Sequence, residues 1–198
     1  IPEPTATSTP VPPSPRWYWA MDPDTGKVIG VNQFGERRET EALDLADDSF
    51  PRVVSLDHER ALLFLDSNDT IRVYLLTPDG MQKIKFPSDF NYFNADFSQS
   101  PRAVVAAYED YAVFTYGQAM GEIGTGPVFL VNLKSLTADL IDKEGNRDSF
   151  DENRQWFRSS KDGRYLRYIN GNPDADNREI RELDLITGKA RTIYSTNS

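Results

Sequence analysis

Two stretches near the end of the chain, Ser160-Lys161-Asp162-Gly163-Arg164-Tyr165-Leu166 and Arg178-Glu179-Ile180-Arg181-Glu182-Leu183-Asp184-Leu185-Ile186-Thr187-Gly188-Lys189, decide how the rest is read. Each couples a polar, Gly-bearing turn to a short run rich in apolar and charged residues, which is the signature of hairpin-linked strands. The second closes on Thr187-Gly188-Lys189, where a turn that requires positive φ would need its glycine.

Working outward, both patterns recur. The late hairpin has counterparts at Asp22-Pro23-Asp24-Thr25-Gly26-Lys27, Thr77-Pro78-Asp79-Gly80 and Asn132-Leu133-Lys134-Ser135-Leu136. Gly26, Gly80, Leu136 and Gly188 follow one another at 54, 56 and 52 residues. The earlier turn, in which Ser leads to Arg and then an apolar strand, has counterparts in SLDHERALLFL (Ser55 to Leu65) and SQSPRAVVAAY (Ser98 to Tyr108). No dozen-residue segment carries a 3.6-residue apolar stripe, so helix is expected only as a turn or two near Glu39 to Ala46.

A period of this length with four strands per unit is what propeller blades show. The expected fold is all-β, with four-stranded antiparallel, β-propeller-like blades, about three and a half of them visible. Complete units are placed at 50–88, 93–143 and 155–195, and residues 17–34 supply the outer two strands of a preceding one. The last unit resembles the WD40-like repeats of TolB-type propellers and of the propeller domains of dipeptidyl-peptidase IV relatives. The shared features are the S-x-D-G-(K/R) turn and the I-x-x-x-D-L-x-T-G hairpin. Closed propellers have about 4 to 8 blades; the resemblance therefore implies blades elsewhere, a partner that supplies them, or an open stack.

Residues 1–15, IPEPTATSTPVPPSP, have no apolar periodicity, and their prolines favour an extended polyproline spacer. The stretch resembles the Pro/Thr tethers of bacterial surface proteins and lipoproteins, although an ordinary interdomain linker has the same composition. The repeat domain is expected over 16–198. The chain begins at Ile1, which leaves room for a signal peptide or anchor upstream. No apolar run is long enough to cross a bilayer as a helix. With a net charge of −9 and a pI near 4.7, the chain lacks the basic balance expected for nucleic acid or an anionic membrane surface. It has no cysteine, which removes disulfides and thiolate chemistry.

Catalytic sets are sparse. The one histidine, His58, lies in the polar turn Asp57-His58-Glu59-Arg60, and no Gly-x-Ser-x-Gly elbow occurs, so the chain is expected not to be an enzyme. Asn172, Asp174 and Asp176 place oxygens at i, i+2 and i+4, a spacing that suits Ca²⁺, with Glu179 as a further ligand. The plainer reading is turn chemistry between two strands, because the Gly and distal Glu of an EF-hand are missing. Gly117 to Gly126 holds four glycines but no basic residue, so it is read as an exposed contact loop carrying Met120 and Ile123, not a phosphate cradle.

Trp17 and Trp19, like Phe86, Phe90, Tyr92, Phe93 and Phe97, suit either the wedge between blades or contact with a sugar or protein. The functional expectation is a non-catalytic, exported module at a bacterial cell surface. It would present propeller loops to a protein or polysaccharide partner, or to a second copy that completes the ring. The alternative is the accessory propeller of a hydrolase or peptidase whose catalytic domain lies outside this chain.

Overall fold

The computed structural model describes residues 14–22, 24–43, 50–67, 70–87, 103–115, 124–147, 157–170 and 179–195. They form strands and turns without a helix. The first unit holds β1 (Trp17–Asp22), β2 (Lys27–Asn32) and β3 (Arg37–Glu39). The second holds β4 (Phe50–Ser55), β5 (Ala61–Ser67), β6 (Thr70–Thr77) and β7 (Gly80–Lys83). The third holds β8 (Ala103–Tyr108), β9 (Tyr111–Thr115), β10 (Gly124–Asn132) and β11 (Thr137–Arg147). The fourth holds β12 (Arg158–Ser159), β13 (Tyr165–Asn170), β14 (Glu179–Asp184) and β15 (Lys189–Ser195). Every named strand pairing is antiparallel between sequence neighbours, except that β11 and β13 join the last two units through the pair Gly145 and Asn170. The expected all-β architecture of antiparallel, blade-like units is therefore present, and among the described residues the sheets do not close into a ring.

Two local expectations change. The leading unit has three strands, not two, because β3 pairs along β2 at Val31, Gly30 and Ile29. The helical turn expected from Glu39 is absent over 39–43. There Thr40 N donates to Val28 O at 3.0 Å and Leu43 N to Gly26 O at 2.9 Å, continuing the edge of β2. Open carbonyls on that edge outweigh the weak helical preference of a short segment.

The repeated late turn is a physical repeat as well as a sequence one. The side-chain oxygens of Asp22, Asn132 and Asp184 accept from the backbone N–H two residues on, at 3.0, 2.9 and 3.0 Å. Gly26, Leu136 and Gly188 then turn the chain at φ of 68°, 56° and 67°. Leu136 takes this left-handed conformation with a side chain attached, a cost of roughly 1–2 kcal/mol. Its packing against the core beside Ile84 and Ala138 offsets that cost. The second unit uses the tighter Pro78-Asp79 turn, with Thr77 paired directly to Gly80.

Strand alternation sends side chains to opposite faces, and in the second and third units both faces are apolar and covered. On β5, Leu62 and Phe64 pack towards the third unit, while Ala61, Leu63 and Leu65 pack towards the first. On β10, Phe129 and Val131 face the second unit, and Val128 and Leu130 face the fourth. Phe114 of β9 lies at the centre of one layer, stacked on Phe129 at 5.2 Å and edge-on to Phe64 at 5.3 Å.

Replacing Phe114 by Ala should therefore cost about 3–5 kcal/mol in a denaturant titration, against less than about 0.5 kcal/mol for the exposed Phe34. The turns should also rank. A Cβ at Gly26 would lie 2.5 Å from the Leu43 backbone oxygen, whereas one at Gly188 meets only Leu130 Cδ2 at 3.3 Å. Gly26→Ala should thus lower the melting temperature more than Gly188→Ala, which loses roughly 1 kcal/mol to its positive φ alone.

Candidate functional site

The first and second units meet along a groove of about 330 Å³ lined by Trp19, Arg38, Thr40, Glu41, Thr77 and Asp79, among others. Its aromatic wall follows from alternation. Trp17, Trp19 and Met21 lie on the face of β1 that looks at the second unit, so the indole of Trp19 lands at the seam. Gly30, directly opposite on β2, makes room for it: a Cβ there would lie 2.5 Å from the ring. Trp19 Nε1 donates to Glu59 O at 3.3 Å, and the ring stacks on Trp17 at 5.6 Å. The orientation of the indole is thus set before any ligand arrives.

The flanking groups come from β3 and the segment after it on one side, and from the Thr77–Gly80 turn on the other. Together they put hydroxyls, carboxylates and one guanidinium around a half-buried indole. An aromatic face ringed by donors and acceptors is the chemistry that holds a polyhydroxylated ring or a short polar peptide. The contribution of Thr40 and Glu41 is not legible in the sequence, where 39–46 reads as a helical turn, and Arg38 just before it carries no strand pattern. The pairing of their segment with β2 is a non-local fact.

The other sequence candidates separate. Trp17 is buried at 4% exposure and packs, with Arg38 lying 5.8 Å from its ring centre. Met120, Ile123, Asn172, Asp174 and Asp176 lie outside the described residues, as do Phe90, Tyr92, Phe93 and Phe97. Glu179 opens β14 and accepts from Thr192 Oγ1 at 2.9 Å. His58 is exposed in its turn, where its backbone carbonyl accepts from Trp17 N at 2.6 Å. Phe86 packs beside Phe129 at 5.4 Å, in the wedge between the second and third units.

The chain matches no family model and no curated protein. Among solved structures it is similar to TolB from Acinetobacter baumannii, at 13% identity and a TM-score of 0.40, over 90% of this chain and 40% of that one. It is also similar to a luciferin-regenerating enzyme, at 11% identity and a TM-score of 0.43, over 91% of this chain and 59% of the other. The chain thus spans only part of the length of each. Likenesses this remote carry neither ligand nor activity across.

The charged groups hold neighbouring elements in place. Arg60 joins Asp57 at 2.7 Å, Asp110 at 3.0 Å and the Glu109 carbonyl, clasping the second unit to the third. Between the third and fourth units, Asp142 accepts from both the Tyr168 hydroxyl and the Arg181 guanidinium. Burial, then the Asp142 hydrogen bond, push the Tyr168 hydroxyl well above its usual range, so it stays protonated and donating.

In the fourth unit Arg164 grips Asp184 through two nitrogens, at 3.2 and 2.8 Å. That bond is the main reason the carboxyl of Asp184 is lowered to about 2 from an ordinary 3.8. A depressed carboxyl pKa stabilises the folded state above the unfolded value, and the stabilisation is lost as pH falls through the folded one. Melting temperature measured from pH 4 down to pH 2 should therefore fall less steeply in Asp184→Asn than in the parent chain, from a lower starting value. Parallel curves would remove Asp184 from the acid transition.

Proposed function

We propose that the chain is a non-catalytic, exported binding or assembly module that meets a protein or polysaccharide partner at a bacterial cell surface. The observation that carries this is the Trp19 groove, in which an indole fixed by Glu59 and Gly30 faces hydroxyls and carboxylates across the seam of two rigid sheets. Rigid β scaffolds that carry recognition at their margins need no moving part to bind. The Pro/Thr-rich residues 1–15 suit a spacer that holds such a module away from a surface. The acidic net charge favours uncharged or cationic partners for the molecule as a whole.

Affinity electrophoresis in gels cast with soluble neutral polysaccharides tests the reading directly. Migration of the parent chain should be retarded by at least one of them, and Trp19→Ala should weaken that retention by about tenfold or more. Trp19→Phe keeps an aromatic wall and should keep part of it. If Trp19→Ala is retained as well as the parent while melting at the same temperature, the groove is not the binding site.

A further inference from the structure

The polar groups that line the Trp19 groove are not all open to a ligand. Thr40 Oγ1 accepts from Val28 N at 3.0 Å and donates to Glu41 O at 2.9 Å, and Thr77 Oγ1 donates to Gly80 O at 3.2 Å. Both hydroxyl protons are therefore spent within the fold. Glu39 gives one carboxylate oxygen to Arg37 at 2.5 Å and the other to Lys27 at 3.4 Å. Arg38 leans over the Trp17 ring and donates to the Arg37 carbonyl at 3.4 Å. Glu41 and Asp79 remain: both are exposed, and neither carboxylate has a partner among the described residues. Glu41 lies in the segment after β3 and Asp79 in the β6–β7 turn, so they border the groove from opposite sides.

Carboxylates accept hydrogen bonds and cannot donate them, so a ligand that answers both must bring protons. An ammonium brings them with the opposite charge, and such charge-assisted bonds are roughly twice as strong as neutral ones. The indole sets the shape of what carries that ammonium. Trp19 is the single aromatic residue in the lining, whereas a bare or alkylated ammonium is enclosed by a cage of aromatic rings. One indole, held in a fixed orientation by Glu59 and Gly30, suits the flat C–H face of a sugar ring. Glucosamine offers both features, an apolar ring face and an ammonium at its rim.

We propose that the Trp19 groove selects amino sugars: one glucosamine unit stacks on Trp19, and the ammonium groups of the bound stretch are held by Glu41 and Asp79. The proposal rests on the reading of this groove as a polysaccharide site and names the sugar class it prefers.

The test is isothermal titration calorimetry on the full chain with hexamers of glucosamine, N-acetylglucosamine and glucose. A mildly acidic pH keeps the amines protonated and the carboxylates ionised. The glucosamine hexamer should bind at least about tenfold more tightly than the two neutral ones, an advantage that shrinks as salt rises. Glu41→Gln and Asp79→Asn should each remove about threefold or more of its affinity. The double variant should bring it to within about twofold of the neutral hexamers, whose own affinities stay unchanged. Asp139→Asn removes an exposed carboxylate of the third unit and should alter none of the three, which separates the groove from the general attraction of an acidic chain for cations. All these variants should melt with the parent, because each carboxylate is exposed. Equal affinity for the three hexamers overturns the proposal and leaves the sugar site standing, whereas binding of none overturns both. An undiminished preference in the double variant, an equal loss in Asp139→Asn, or tighter binding of hexalysine than of the glucosamine hexamer also overturns it.

Discussion

The sheets of the second and third units are apolar on both faces, so neither can bury its side chains alone. Leu63 of β5 needs the first unit, and Leu62, one residue away, needs the third. Phe129 and Leu130 divide the same way between the second and fourth units. Burying a side chain of this size contributes roughly 1.5–3 kcal/mol, and nearly all of that contribution is made between units. The stack is therefore cooperative through its interfaces, with nearest-neighbour contacts carrying the stability as in other repeat architectures. The single bridge between β11 and β13 adds little beside this. What binds those two units is the layer of Val113, Val128, Leu166 and Leu183.

Polar groups at the seams act within that apolar frame. Arg60 and the Asp142 cluster take positions where an unpaired charge would be costly, and each is matched by several partners. Their geometric effect is to fix the angle at which one sheet meets the next, because guanidinium bonds are directional where apolar contacts are not. The Trp19 groove depends on the same fixing at the first seam. There the backbone of Trp17 is tied to the His58 turn, and the indole of Trp19 to Glu59. Both anchors lie on the β4–β5 connection, so the groove wall borrows its rigidity from the second unit.

Much of this fold was legible because the repeat lies in short-range chemistry. The turns at Asp22, Asn132 and Asp184 announce themselves by residue type, and Leu136, lacking the glycine, was placed by spacing alone and has the same positive φ. What could not be read is the partner of an edge. β3 is a run of three exposed charged residues, Arg37-Arg38-Glu39, with no apolar alternation to mark it. It is a strand because β2 had carbonyls and amides to fill. The groove was hidden for the same reason, since one side of its lining, Arg38 to Glu41, belongs to that segment and the residues after it. Trp17 and Trp19 look alike in sequence, and only their positions relative to the second unit make one a core residue and the other a wall.

The two outer faces of the stack are finished in different ways, and the difference bears on assembly. On the first unit, Tyr18 pairs with Val31 across β1 and β2, both well exposed, and the nearby charges Lys27, Arg37 and Glu39 answer one another. On the fourth, Arg167 and Arg191 share the single carboxylate of Glu182, and Arg158 stands opposite Arg167. Two copies meeting through their fourth units would set these arginines against each other, a juxtaposition that suppresses association. A first unit meeting a fourth would bring a surface whose Glu39 carboxylate is already shared by Lys27 and Arg37, leaving Arg158 desolvated and unpaired. Neither arrangement satisfies the guanidinium, and a buried cation without an acceptor opposes complex formation more strongly than a few apolar contacts favour it. The fourth unit's surface therefore offers a second copy no acceptor for Arg158 among the described residues.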